Sequence, residues 1–167
     1  MKSILPSTIT ALAQRVVTEN LAAGRTIALA ESCTGGLVSA ALTEIPGSSA
    51  VLGSGFITYS NESKIKMLGV NEDILETFGA VSVAVAWAMA QGALKKSGAD
   101  IAVAISGVAG PDGGTEKKPI GTVVFAVAEK DKDPEDMIAD RKDFGSDKSR
   151  AEIRTIAVLY ALELLLP

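Results

Sequence analysis

The 167-residue sequence has no histidine and a single cysteine, Cys33. Without an imidazole, Ser-His-Asp and Cys-His catalysis are excluded. One thiol cannot close a disulfide within a monomer, and it cannot supply the His and Cys ligands of an ordinary zinc site. Acid-base or nucleophilic chemistry in this chain must run on Lys, Tyr, Asp, Glu, Ser, Thr or the lone Cys. Long apolar runs are missing too. The longest uncharged apolar stretch, around Val81 to Leu94, falls short of the roughly 20 residues of a membrane span. The beginning, MKSILPSTITALAQR, has neither an apolar signal-peptide core nor a small-residue cleavage site. With one Cys, this predicts a cytoplasmic protein away from membranes. Basic residues are in deficit, 16 Lys and Arg against 20 Asp and Glu, which argues against a nucleic-acid face.

What is present suffices for one compact domain over residues 1–167, since 47% of the residues are hydrophobic. A chain of this size buries roughly 70% of its unfolded surface and needs no metal or disulfide to hold a core. Ser7 to Ala23 reads as a helix, capped by Ser7 and ended by Gly24. Apolar runs at TIALAES, GSGFITYS, ADIAVAISG, GTVVFAVAEK and MIADRKDF read as strands. Helices are expected over TGGLVSAALTEI, NESKIKMLGV, Val81 to Ser97 and about Asp147 to Leu165, with Ser82 capping the third and Gly98 stopping it. Strands alternating with helices predict an α/β fold, a three-layer α/β/α sandwich with a mixed, mostly parallel sheet. The turn DKDPED is too short for a crossover, so the last two strands should be antiparallel.

Four segments can carry chemistry. Ala30-Glu31-Ser32-Cys33-Thr34-Gly35-Gly36 joins a strand to a helix at the carboxyl edge of the sheet, where open α/β sheets bind ligands. Its helix-start N–H groups favour an anion or an oxyanion, and Ser32 and Thr34 set hydroxyls beside them. The plainer alternative is a cap followed by packing glycines. Thr58-Tyr59-Ser60-Asn61-Glu62-Ser63-Lys64 turns the next strand-to-helix corner. A right-handed parallel crossover would set this corner beside Ser32. A desolvated Lys64 could then deprotonate the serine, with Tyr59 relaying or steadying the proton. The competing reading of Lys64 is a solvated helix-surface lysine. Ser106-Gly107-Val108-Ala109-Gly110-Pro111-Asp112-Gly113-Gly114-Thr115 is a long glycine-rich loop that a ligand could approach closely. Lys117 and Lys118, just beyond it, read as solvent-facing. At Ser146-Asp147-Lys148-Ser149-Arg150, the cations Lys148, Arg150 and Arg154 near a helix start oppose the macrodipole, and a bound phosphate would resolve that conflict. The alternative is pairing with Asp143 and Asp147. Cys33 is as readily a packing residue as a nucleophile.

These segments, in this order, resemble the CinA C-terminal domain family, whose enzymatic members are nicotinamide-nucleotide amidases. The matching text is AESCTGG, IPGSS, GFITYSNESKIKMLGV, GAVS, SGADIAVAISGVAGPDGGTEKKPIGTVVFAVA and SRAEIR, nearly the whole chain. The resemblance implies conversion of nicotinamide mononucleotide and water to nicotinic acid mononucleotide and ammonia, without metal or cofactor. It implies a serine and a lysine helped by a tyrosine, which carry over to Ser32, Ser49, Tyr59 and Lys64. Thr34, Gly35, Gly36, Ser106, Gly107 and Arg150 are the matching candidates for substrate binding. Many relatives read Gly-Asp-Arg where this chain reads Ser146 to Arg150. Ser32 is the favoured nucleophile, because ten residues of strand would hold Ser49 up to ~33 Å from the Lys64 corner. Ser49 could join the site by a fold-back or from a second subunit, and a homodimer or larger homo-oligomer is expected. The competing function is a non-catalytic nucleotide-binding module; a pyrophosphatase would call for a carboxylate cluster that the sequence does not show.

Overall fold

In the computed structural model, residues 3–167 are described. The chain runs α1 (Ser7–Ala22), β1 (Ile27–Glu31), α2 (Leu37–Thr43), β2 (Leu52–Ile57), α3 (Asn61–Leu68), α4 (Glu72–Phe78), α5 (Val83–Ser97), β3 (Ile101–Gly107), β4 (Thr122–Glu129), β5 (Ala139–Asp143) and α6 (Arg150–Leu164). Short 3-10 turns at Ser48–Ala50 and Pro134–Asp136 join two of these connections. Two details depart from the sequence expectation. Ser7 is the first helical residue and Pro6 stands at the cap with no side-chain bond, and the short helix α4 lies in a stretch with no anticipated element. Ser82 and Gly98 cap α5 as expected.

The five strands form one sheet in the order β2-β1-β3-β4-β5. β1 pairs parallel with β2 and β3, and β4 is antiparallel to both β3 and β5. Thus β1, β2, β3 and β5 run one way and β4 runs against them, in a mixed sheet. Helices α1, α2 and α6 cover one face, and α3, α4 and α5 cover the other.

The two faces differ in side-chain size, as strand alternation dictates. Ile27, Leu29, Val103, Ile105, Phe125 and Val127 point to the α1/α6 face, whereas Ala28, Ala30, Ala102, Ala104, Ala126 and Ala128 point to the α5 face. An alanine floor lets the alanine-rich α5 lie close on the sheet. Close packing continues outward. A methyl group at Gly92 of α5 would run into the Leu68 carbonyl at the end of α3. The lack of a side chain at residue 92 therefore sets how near α3, and the lysine on it, can come.

Candidate active site

The parallel register puts the ends of three strands side by side. Glu31 pairs with Ile57 on one flank and Ile105 on the other. Beyond that register the Ser32 N–H donates to the Ile105 carbonyl at 2.9 Å, and the Thr58 N–H to the Glu31 carbonyl at 2.9 Å. Thr58, Ser32 and Ser106 therefore lie in a row across the carboxyl edge of β2, β1 and β3. All three are buried.

Lys64 enters this row from the first turn of α3. Ser60 caps that helix by accepting from the Ser63 N–H, so the chain turns sharply out of β2 and aims Lys64 back at the edge. The side chain is fully buried. Its Nζ donates to the Thr58 carbonyl at 2.7 Å and the Tyr59 carbonyl at 3.2 Å, and lies 3.1 Å from Ser32 Oγ. Carbonyls can only accept, so they claim two Nζ protons. The remaining tetrahedral position faces Ser32. It carries a proton in the ammonium form and a lone pair in the amine form. Burial pushes the Lys64 pKa down from 10.5 to about 8, with the nearby Cys33 opposing the shift. The amine is thus accessible near neutrality, and the amine is the form that accepts the Ser32 proton.

The start of α2 differs from the expectation. Its N–H groups are not free for a ligand anion, because the chain supplies its own. The buried Glu31 carboxylate accepts from the N–H groups of Gly36 at 3.0 Å, Val38 at 3.1 Å and Ser39 at 2.9 Å. It also accepts from the hydroxyls of Thr34 and Ser39, each at 2.7 Å. The Gly35 N–H closes a turn on the Ser32 carbonyl at 3.0 Å. The Thr34 hydroxyl and the Gly35 and Gly36 N–H groups, candidates for substrate binding, are therefore committed within the loop. Gly35 and Gly36 have φ of 61° and 94°, a left-handed pair that side-chain-bearing residues rarely adopt.

Arg154 holds the same loop from α6, with Nε on the Cys33 carbonyl and Nη2 on the Thr34 carbonyl, both at 3.1 Å. Burial pushes the Cys33 thiol up to about 11, so it stays protonated and a poor nucleophile. Ser106 donates to the Ala80 carbonyl at 2.8 Å and keeps its lone pairs beside Ser32. The following Gly107 has a packing role, since a Cβ there would strike Val123 and the Thr122 carbonyl.

Arg150 opens α6 and ties two segments together. Its Nη1 donates to the Gly110 carbonyl at 2.7 Å and its Nη2 to the Tyr59 hydroxyl at 3.1 Å. Tyr59 is 60% exposed. Its phenol meets Arg150, and only its carbonyl touches Lys64. A cleft of about 450 Å³ runs along the glycine-rich loop, lined by residues including Gly113, Thr115, Ile120 and Ser146. Lys118 is not simply solvent-facing, because its Nζ bonds the Phe78 carbonyl at the end of α4. Lys148 pairs with Asp147, and Ser149 caps α6 in a reciprocal box with Glu152.

Ser49 is not brought to this edge. It is exposed in the 3-10 turn before β2, beside the strand beginnings, where the Ile27 N–H meets the Val51 carbonyl. The role of Glu31 escaped the sequence reading, and so did the partners of Arg154. The available signal for Glu31 was an acid ending an otherwise apolar strand directly before a glycine-rich helix start. Arg154 carries the signal of a cation near a helix start, but nothing local points to its partners, which lie about 120 residues away.

Comparison with known proteins places the fold in one family. The family model described as "CinA C-terminal domain" matches residues 9–167. The nicotinamide-nucleotide amidohydrolase PncC of Escherichia coli K12 is 51% identical over 144 residues, 86% of this chain and 84% of that protein. A CinA-like protein of Endomicrobium trichonymphae is 46% identical over 95% of this chain but 35% of its own length. The chain spans between 25% and 35% of the length of several longer curated relatives that it matches. Among solved structures, the competence/damage inducible protein CihA of Agrobacterium tumefaciens superimposes with a TM-score of 0.93 at 46% identity, covering 98% of this chain and 97% of that one. On the family model, these identities and the shared fold, the chain belongs to the CinA C-terminal domain family.

Proposed function

We propose that this chain is a nicotinamide-nucleotide amidase, which hydrolyses the carboxamide of nicotinamide mononucleotide to nicotinic acid mononucleotide and ammonia. One observation carries the reading: a fully buried Lys64 Nζ, held by two carbonyls, has its last valence on Ser32 Oγ. The name of the Escherichia coli relative supports the substrate.

The chemistry follows from that contact. The Lys64 amine takes the Ser32 proton as Oγ bonds to the carboxamide carbon, and the C=O electron pair moves onto oxygen. The oxyanion collapses, the C–N bond breaks, and the Lys64 ammonium returns a proton to the leaving NH2 group. Water then attacks the acyl-serine with Lys64 again as base, releasing the acid and Ser32. The Arg150 guanidinium, at the mouth of the site, is suited to the substrate's phosphate. Tyr59, ring exposed and hydroxyl on Arg150, serves the pyridine ring or the phosphate arm more directly than the proton. The domain, residues 1–167, works without a metal or cofactor in this scheme.

The decisive measurement is ammonia release from nicotinamide mononucleotide, for the protein and for Ser32→Ala. Turnover by the parent and its loss in the variant are expected. A folded parent that binds the mononucleotide without turnover would establish the competing, non-catalytic module. The buried base disfavours that module, since a pure binder gains nothing from a desolvated lysine.

The working form in this reading is a cytoplasmic homodimer or larger homo-oligomer, joined through β2. That outer strand, Leu52–Ile57, has no charged residue and leaves Ile57 exposed. The opposite outer strand, β5, carries Asp140, Arg141, Lys142 and Asp143 in five residues. Charges on an edge prevent pairing with another chain, and β2 lacks that protection. Two copies of β2 paired antiparallel about a two-fold axis would carry Ser49 of the second copy toward the Lys64 end. No helix among the described residues is long and apolar enough to cross a membrane.

A further inference from the structure

The amide hydrolysis proposed above needs donors for the developing oxyanion, and the start of α2 no longer offers any. Most N–H groups of the Ser32–Ser39 segment already have acceptors within the protein. Ser32 donates to Ile105, Gly35 to Ser32, and Leu37 to the Thr34 carbonyl. Gly36, Val38 and Ser39 donate to Glu31. Among the described residues, the N–H groups of Cys33 and Thr34, the two directly after Ser32, meet no backbone or side-chain oxygen, and the Cys33 N–H has only its own thiol sulfur beside it.

Their direction is set by the carbonyls on the same peptide units. In a trans peptide the C=O and N–H point opposite ways. The Ser32 carbonyl is drawn into the turn by the Gly35 N–H, so the Cys33 N–H points out of it. The Cys33 carbonyl is drawn to Arg154 on the α6 face, so the Thr34 N–H points away from α6. The opposite face is the one from which Lys64 reaches Ser32 Oγ. Meanwhile Glu31 fixes the other end of the loop with five hydrogen bonds.

We propose that Glu31 and Arg154 are a positioning pair, which turns the Cys33 and Thr34 N–H groups onto the carboxamide oxygen as Ser32 attacks. The inference rests on the Ser32-Lys64 amidase reading. Neither side chain touches the substrate. Glu31 occupies the helix-start anion position, so that the substrate oxyanion is left to the two N–H groups beside the nucleophile. Arg154 pins the carbonyls that would otherwise be free to rotate into the site.

The test uses Arg154→Ala, Arg154→Lys and Glu31→Gln in the full chain, with two readouts. Losing a single oxyanion donor typically costs 10²–10³ in kcat, so disordering the pair indirectly should lower kcat by roughly 10- to 100-fold. KM should stay within a few-fold. The second readout is inhibition by the mononucleotide's aldehyde analogue. Ser32 Oγ adds to the aldehyde carbon, its proton passes to Lys64, and the C=O pair becomes a hemiacetal oxyanion. Affinity for this analogue should fall by the same factor as kcat, and Arg154→Lys should recover part of both. Folded variants that keep kcat within two-fold, or lose kcat with unchanged aldehyde affinity, overturn the inference while leaving the amidase reading intact. If Glu31→Gln does not fold, the two Arg154 variants decide. A parent that releases no ammonia overturns both readings together.

Discussion

Lys64 reaches Ser32 across a strand boundary. The lysine belongs to the corner after β2 and the serine to the corner after β1, yet Nζ and Oγ lie 3.1 Å apart with the lysine stem fully buried. The pair exists because two neighbouring parallel strands end at the same level, and neither corner could make it alone.

Function should fail at either member. Ser32→Ala should abolish turnover, and Lys64→Met should lower kcat by roughly 10²–10⁴, the usual worth of a general base. Cys33→Ala, by contrast, should keep kcat within a few-fold, since the neighbouring thiol stays protonated to about 11. Steady-state ammonia release on the three variants checks the ordering. An inactive Cys33→Ala that still folds would move the nucleophile by one residue.

The pH dependence has a defined sign. Only the Lys64 amine accepts the serine proton, so kcat/KM should rise with pH and level off above about 8. Stability should move in the same direction. Between about 8 and 10.5 the unfolded chain holds more protons on Lys64 than the folded chain does, so rising pH favours folding across that window. Chemical denaturation from pH 7 to 10.5 should show the parent gaining on Lys64→Met, by on the order of 3 kcal/mol at most. A flat difference would mean that the folded lysine titrates like a free one.

Arg150→Ala should act mainly on substrate capture. A hydrogen-bonded charge is worth about 1.5–3 kcal/mol, so KM for the mononucleotide should rise roughly 10- to 100-fold with a smaller change in kcat. Tyr59→Phe removes the hydroxyl that Arg150 holds at 3.1 Å and should produce a weaker version of the same effect. Initial-rate kinetics separate the two constants, and an unchanged KM would place the phosphate elsewhere.

The β2 pairing predicts complementation between subunits. If Ser49 acts in trans, Ser32→Ala and Ser49→Ala homodimers should each be impaired. Dissociating and re-forming a mixture should recover about a quarter of parent activity, because half the dimers are mixed and each holds one intact site. No recovery, or full activity of Ser49→Ala alone, would remove Ser49 from the site.

Packing behind the site can be tested at Gly92. A methyl group there meets the Leu68 carbonyl, which is backbone and cannot swing aside. Gly92→Ala should cost about 1–3 kcal/mol of stability and push α3 outward. Since α3 carries Lys64, thermal unfolding and kcat should fall together.

Much of this was legible from the residues. The alternation of apolar runs with capped helices gave the layers and the antiparallel last pair. The absence of histidine, together with two strand-to-helix corners, brought Ser32 and Lys64 together. What escaped was of another kind. The α2 start left an anion site and a cap followed by packing glycines both open, because a strand-ending acid gives no sign that it folds back over its own loop. Arg154 stands out in the sequence only as a cation near a helix start, matched to a phosphate or an acidic neighbour, because its acceptors are backbone carbonyls far away in the chain. Tyr59, expected to relay or steady the proton, has its ring exposed and its hydroxyl on Arg150, and only its carbonyl meets Lys64, a placement that sequence proximity does not reveal.

The two carbonyls that grip Lys64 belong to the main chain of residues 58 and 59. No substitution at those positions deletes them, so the aim of the base is inherited with the shape of the corner and not with any letter. Drift at these positions can alter the substrate arm while the proton machinery stays untouched. In the proposed mechanism, a lysine base of this kind can therefore survive in distant descendants whose flanking residues no longer resemble these, provided that the strand still ends where it does and the helix still begins three residues before the lysine.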